Sequence, residues 1–196
     1  MALLDELEEF QKILTNLTKI SKKQSEKISE EILTVSDKDF AFFINSLQNI
    51  KSKYSFCELC HGLKKEKQCS ICFDVSRDNV LLVLENFNNI IKFEKLNFYH
   101  GKYYVLPYLI NSKNLNLSIN EKMYKELLNY AKNFEEVILA LSPTLEGEMS
   151  TIRLMNLLKE HNVKVSRLAI GLPIGSNIDY LDGLTLEQAI KNRQEK

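Results

Sequence analysis

The sequence predicts a multidomain α+β chain: a helical N-terminal segment, a compact four-cysteine metal module, an α/β domain on a mostly parallel sheet, and a C-terminal extension. Three observations predict it. From Leu3 to Ile50 there is neither glycine nor proline, and apolar side chains recur at helical spacing. All four cysteines fall in one array, Cys57-x2-Cys60-x8-Cys69-x2-Cys72. Beyond Asp78, short continuous apolar runs alternate with amphipathic stretches.

In the first segment, Leu3, Leu7, Phe10, Ile13, Leu14 and Leu17 share one stripe. Ile28, Ile32 and Leu33 form a second stripe, and Phe40, Phe43, Ile44 and Leu47 a third. Ser36 followed by Asp39 is a helix-start signal, since a serine oxygen accepts the orphan amide three residues on. Residues 1–53 are therefore expected to form three helices with short connections.

The cysteine module follows, over residues 54–76. Each C-x-x-C pair is a tight knuckle that aims two thiolates at one point. Two knuckles supply the four soft ligands of a tetrahedral Zn2+. The array spans 16 residues, too few for a core of its own, so metal binding is expected to supply most of its folding free energy. Two disulfides are the alternative. Against them stands the first stretch, Met1 to Ile20, where Asp5, Glu6, Glu8 and Glu9 replace the basic and apolar regions of a secretory signal. A cytoplasmic location is the matching expectation. Four thiolates leave no open position, so the zinc, one per chain, is expected to be structural.

Composition narrows the remaining classes. No apolar run approaches the ~18 residues that span a bilayer. The 26 basic and 26 acidic residues cancel, unlike the strong positive charge of many nucleic-acid-binding domains, often with pI above ~9. Any DNA affinity must come from local clustering of lysines.

Residues 77–170 read as strand, helix, strand, helix, strand, helix, strand. The strands are Val80–Leu84, Tyr103–Leu106, Val137–Leu141 and the alternation Val163, Val165, Leu168. Helices are expected around Ile90–Glu94, Ile119–Asn133 and Glu148–His161. In such sheets chemistry collects at the carboxyl ends of the strands. Glu85 closes the first strand, and Ser142-Pro-Thr-Leu-Glu146-Gly-Glu148 follows the third. Converging carboxylates suit Mg2+, which takes hard oxygen ligands. The same glutamates also suit the first turn of a helix, where the dipole favours negative charge. Both readings stand at this stage.

The order of helical segment, cysteine module, V-L-E strand, then S-P-T-L-E-G-E and R-L-A-I-G-L-P-I-G resembles the bacterial RecR family of recombination mediators. Glu146-Gly-Glu148 after Pro143-Thr144, Gly171-Leu-Pro-Ile-Gly175, and Tyr180-x-Asp182-x-x-Thr185-Leu186 carry the resemblance, which covers nearly the whole chain. It implies a helix-hairpin-helix DNA-binding element (residues 1–53), a zinc finger (54–76), a Toprim domain (77–170) and a C-terminal segment (171–196). It further implies a homo-oligomer, a dimer or ring-like tetramer that clamps DNA without sequence preference. Such a clamp works at the nucleoid with RecO, and in many bacteria with RecF, to help RecA displace single-strand binding protein at gapped DNA. No phosphoryl transfer is attributed to the family.

This chain departs from the family pattern at two places. The hairpin usually reads L-P-G-I-G-P-K, and here it is Leu17-Thr-Lys-Ile-Ser-Lys-Lys23, with both glycines replaced. Glycine there lets backbone amides approach phosphate. Compensation lies in Lys19, Lys22, Lys23 and Lys27, four cations within nine residues. Lys23 and Lys27 match the family's basic positions, and their spacing puts them on one helix face for phosphate contacts. A solvated lysine face is the alternative. The second departure is in the Toprim signature, where Ser142-Pro-Thr144 stands in place of D-x-D and Asn89 in place of an aspartate. Only Glu85, Glu146 and Glu148 remain, and hydroxyls do not supply the carboxylate charge that Mg2+ chemistry needs.

Three readings compete: a non-enzymatic DNA clamp and adaptor, a Mg2+-dependent Toprim nuclease or primase-like enzyme, and a zinc-stabilised interaction module without DNA contact. The missing carboxylates weigh against the second and the lysine cluster against the third. The acidic cluster is then expected to meet a protein partner in preference to Mg2+.

Overall fold

The computed structural model describes residues 2–110 and 117–193. The last residues of the expected C-terminal segment, 194–196, and the side chain of Leu3 lie outside the described residues. The chain divides into two compact units, Met1–Tyr54 and Ser55–Lys196.

The first unit holds the three expected helices, α1 (Ala2–Thr18), α2 (Lys22–Thr34) and α3 (Asp37–Lys53). Lys19 breaks the chain between α1 and α2 by adopting the left-handed conformation, φ 60°, while its N–H still bonds Thr15 O at 3.0 Å. Ser21 then caps α2. Its hydroxyl oxygen accepts from Gln24 N at 3.3 Å, and Gln24 Oε1 accepts from Ser21 N at 2.9 Å. Ser36 caps α3 in the expected way, accepting from Asp39 N at 3.2 Å.

Packing within this unit departs from the apolar stripes. On α2 the buried residues are Ser25 and Ser29, one turn apart. Their hydroxyls are satisfied within the helix by Lys22 O and Ser25 O, and their small size suits the close pairing of α1 with α2. No residue of α3 is buried: Phe40, Phe42, Phe43, Ile44, Leu47 and Ile50 are all exposed. Helical periodicity identified the helices here, and it did not identify a core.

A two-stranded sheet that sequence reading missed, β1 (Tyr54–Phe56) with β2 (Leu63–Lys65), starts at the last residue of the first unit and frames the first cysteine knuckle. Next come β3 (Val80–Leu84), α4 (Phe87–Leu96), β4 (Lys102–Val105), α5 (Leu117–Ala131), β5 (Glu136–Leu139), α6 (Leu145–Glu160) and β6 (Val165–Arg167). A short 3-10 turn at Ile178–Tyr180 and a final helix, α7 (Gly183–Lys191), complete the second unit. The strands pair in the order β4-β3-β5-β6, all parallel, as the alternation of strand and helix predicts.

Residues on the two sides of β3 enter two separate apolar clusters. Leu81 and Val83 join Val137 and Leu139 under α5 and α6, meeting Leu127, Ala131, Leu154 and Leu158. Leu82 and Leu84 face the other way, onto Ile90 of α4 and onto Cys57, Cys60, Cys69 and Ile71. Each such leucine contributes about 1.5–3 kcal/mol by leaving water. The cysteine module therefore does have a core, shared with the sheet. It also covers an edge of that sheet, because Val105 N of the edge strand β4 donates to Cys60 O at 2.8 Å. At the exit of the module, Arg77 donates two bonds to the Glu94 carboxylate, at 2.9 and 2.6 Å, and one to Gly101 O at 3.0 Å.

Candidate metal centre, acidic loop and basic hairpin

The two knuckles bring their sulfurs together. Cys57 Sγ lies 3.8 Å from Cys72 Sγ, Cys60 Sγ lies 3.9 Å from Cys69 Sγ, and all four lie within 4.8 Å of one another. A tetrahedral ion with metal–sulfur bonds of about 2.3 Å places its sulfurs about 3.8 Å apart. The four cysteines are free thiols and not two disulfides, and this is the one cluster of metal-ligating side chains among the described residues. The residues fit a four-thiolate metal site. Local backbone holds the first knuckle: Cys57 N donates to Gly62 O, and His61, in the left-handed conformation with φ 55°, donates its N–H to Cys57 O. The Cys72 thiol is pulled down to about 5, first by the hydrogen bond from Cys60 and then by the Tyr130 hydroxyl. Cys60 is pushed the other way, by its hydrogen bond to Cys72 and by burial, and burial likewise pushes Cys69 up, so a cation is needed to hold those two as thiolates.

The acidic loop reads differently. β3 and β5 are neighbours, so Glu85 and Ser142 meet beyond their ends, and the Ser142 hydroxyl donates to the Glu85 carboxylate. Thr144 caps α6, its hydroxyl oxygen accepting from Gly147 N at 3.1 Å. Glu146 and Glu148 occupy the first turn of that helix. Gly147 between them is obligatory, because a Cβ there would stand 1.9 Å from Ser142 O. The two hydroxyl residues that replace a carboxylate pair thus have structural employment.

The three glutamates do not close on one point. Glu148 accepts from Arg167 Nη1 at 2.9 Å and walls a hollow of about 260 Å3 with Leu139, Thr151 and Gly171. Glu85 walls another, of about 440 Å3, with Phe56, His61, Phe87 and Tyr108. Glu146 is exposed. Arg167, at the carboxyl end of β6, escaped the sequence reading, although the strand-end rule that found Glu85 applies equally to it. Tyr130, whose hydroxyl lies 3.5 Å from Cys72 Sγ, carried no local signal at all.

In the hairpin, Lys19, Lys22, Lys23 and Lys27 are all exposed. Lys22 Nζ lies 3.8 Å from Glu26, an exposed pair of small energetic weight. The turn is made without glycine: Lys19 takes the left-handed conformation itself, and Ser21 is the cap of α2. In the C-terminal segment, Gly175 has φ 83°, which only glycine adopts freely. Asp182 and Thr185 of the Tyr180–Leu186 motif prove to be a helix cap, with Asp182 accepting from Thr185 N at 2.9 Å and from its hydroxyl at 2.7 Å.

Comparison with known proteins agrees with this arrangement of parts. The family model for the Toprim domain matches residues 79–169, the span of the sheet and its helices. The model for the RecR C-terminal region matches residues 171–194. Among whole proteins, the chain is 40% identical to Recombination protein RecR of Mycoplasmopsis pulmonis over 182 residues, covering 92% of this chain and 94% of that one. It is 38% identical to the Finegoldia magna protein of the same name, covering 96% of each chain, and 36% identical to that of Streptococcus pneumoniae, covering 92% of each. With a Toprim sheet sharing its core with a four-cysteine module, and relatives matched almost end to end, the chain belongs to the RecR family of recombination proteins.

Proposed function

We propose that this protein is a non-catalytic DNA clamp and adaptor in recombinational repair, working with RecO, and with RecF where the cell has one, to promote RecA loading on gapped DNA. The hairpin carries the reading. A two-helix unit whose turn keeps a left-handed residue at Lys19, and whose second helix starts at a capped Ser21, presents four exposed lysines. Such a surface neutralises phosphates without reading bases, which suits a protein that must act on any sequence.

The apolar surface supports assembly into a homo-oligomer, a dimer or ring-like tetramer. The Phe43 and Leu47 face of α3, and Ile174, Tyr180 and Leu184 of the C-terminal segment, are exposed in a single chain. Exposed apolar stripes of this extent are commonly interfaces, and identical copies cover each other's stripes in a symmetric assembly. The cysteines hold a structural Zn2+, which ties residues 54–76 to the sheet. When bound, the ion supplies cross-linking and no open coordination position.

Against a catalytic role stand the engaged hydroxyls of Ser142 and Thr144 and the pairing of Glu148 with Arg167. The exposed Glu146, with Glu85 and Glu148 to either side of the loop, is left to meet basic groups of a protein partner. The test is a mobility shift on gapped DNA with RecO present, with and without Mg2+, followed by a denaturing gel. Retarded, uncut strands in both conditions support the clamp. Cut strands in Mg2+ restore the enzyme reading, and the absence of any shift with RecO present leaves an interaction module.

A further inference from the structure

The four sulfurs are not served alike by the surrounding protein. Cys60 receives the backbone amide of Gly62, and Cys69 those of Ile71 and Cys72. Cys72, the one cysteine not fully buried, is approached instead by a side chain 58 positions away, the hydroxyl of Tyr130 on α5 at 3.5 Å. That ring is held firmly. It stands edge-on to Phe134 with centroids 5.1 Å apart and tilted to Tyr104 at 5.8 Å, and it packs against both apolar clusters of the sheet. The main chain at Cys72 is fixed as well, because Lys102 Nζ of β4 donates to Cys72 O at 3.0 Å.

Metal binding sharpens the role of that hydroxyl. A four-thiolate Zn2+ centre carries a net charge of about −2 and retains no S–H group, so the cysteines can no longer donate to one another. Amides continue to serve Cys60 and Cys69. At Cys72 the remaining side-chain donor is the Tyr130 O–H. Donors of this kind orient a ligand and moderate its charge, and their removal typically weakens metal binding about 10–100-fold.

We propose that Tyr130 is a positioning residue for the metal centre: its hydroxyl donates to the Cys72 thiolate and so couples retention of the ion to the packing of α5 on the sheet. The proposal rests on the reading of Cys57, Cys60, Cys69 and Cys72 as a zinc site. Tyr130→Phe removes the hydroxyl and keeps the ring between Tyr104 and Phe134, whereas Tyr130→Leu removes both. Zinc affinity is measured by competition with a chelator of known affinity on the full chain. The sulfur-to-metal charge-transfer band is recorded on the Co2+-loaded protein.

The expected result is about 10–100-fold weaker zinc binding in Tyr130→Phe, a shifted charge-transfer band, and an unchanged circular dichroism spectrum in saturating zinc. A Tyr130→Phe protein with wild-type affinity and an unmoved band, and a deficit confined to Tyr130→Leu, makes the residue mere packing and overturns the proposal. Wild-type protein that takes up neither Zn2+ nor Co2+ overturns the zinc reading itself, which distinguishes the two failures.

Discussion

The strand Val80–Leu84 and the helix face from Phe40 to Ile50 are both rich in large apolar side chains, and the molecule uses them in opposite ways. Leu81, Leu82, Val83 and Leu84 are each no more than 2% exposed, divided between two clusters. On that face of α3, Leu47 is 48% and Ile50 58% exposed, and no residue of the helix is buried. Binary patterning alone does not separate these cases. What separates them is period and context. A continuous apolar run in a parallel strand must be covered on both faces. An apolar stripe on a helix needs one partner, which another chain can supply as well as the same one. The sheet thus has its apolar strands covered by its own unit, whereas the α3 stripe is left uncovered.

The largest effect expected from that difference lies at the metal. Cys60 is fully buried, and its carbonyl accepts from the edge strand. Cys60→Ser should reduce zinc below one ion per chain and abolish cooperative melting of the sheet unit. Metal binding in zinc-finger peptides is worth about 10–16 kcal/mol, as much as a whole domain's stability. Elemental analysis and near-ultraviolet circular dichroism check it. An unchanged melting transition in the zinc-free variant would mean that the module merely rests on the sheet.

The opposite outcome is expected on α3. Phe43→Glu combined with Leu47→Glu should leave helix content and melting of the isolated chain within about 0.5 kcal/mol, because exposed side chains are replaced. The same variant should sediment as a smaller species. Analytical ultracentrifugation decides it, and an unaltered sedimenting mass moves the interface elsewhere.

Much of this fold was legible in the sequence. Val80–Leu84 was found to the residue, and the Ser36 cap, the parallel order of strand and helix and the cysteine array were readable because each is a local pattern. The departures come from neighbours distant in sequence. The cysteine module looks too small for a core until Leu82, Leu84 and Ile90 are seen to complete it. Glu85, Glu146 and Glu148 look like one cluster until Ser142, Thr144 and Arg167 are found beside them. The missed hairpin β1–β2 has strands of only three residues, too short for an alternating pattern to register.

Next in size is DNA binding. Lys23→Glu with Lys27→Glu reverses two charges on one face of α2 and should abolish the shift on gapped DNA, with zinc content and sedimentation unchanged. Every lysine–phosphate pairing removed lowers the log–log salt slope by about 0.9. Normal binding by this variant would relocate the DNA site to other lysines. A smaller change is expected at Glu146→Ala. As an exposed carboxylate it should contribute about 0.2–1 kcal/mol to RecO association, roughly a 1.4- to five-fold weakening that fades as salt is raised. Calorimetric titration against RecO at two salt concentrations measures it, and equal affinities for both proteins remove Glu146 from that interface.

The smallest effect concerns Lys19, and its two consequences have opposite signs. A non-glycine residue in the left-handed region costs about 1–2 kcal/mol. Glycine relieves that strain but gains about 0.5–1 kcal/mol of freedom in the unfolded chain. Lys19→Gly should therefore stabilise the helical unit by roughly 0.5–1 kcal/mol, read as a higher denaturant midpoint at unchanged slope. The same change deletes a cation from the hairpin. If Lys19 touches phosphate, the salt slope falls by about 0.9 although the turn becomes more stable. If Lys19 only shapes the turn, the slope holds and affinity stays level or rises as backbone amides come closer to the DNA. A lower midpoint would show that the lysine is held in this conformation by interactions worth more than the strain, and the hairpin would then owe its shape to its own side chains.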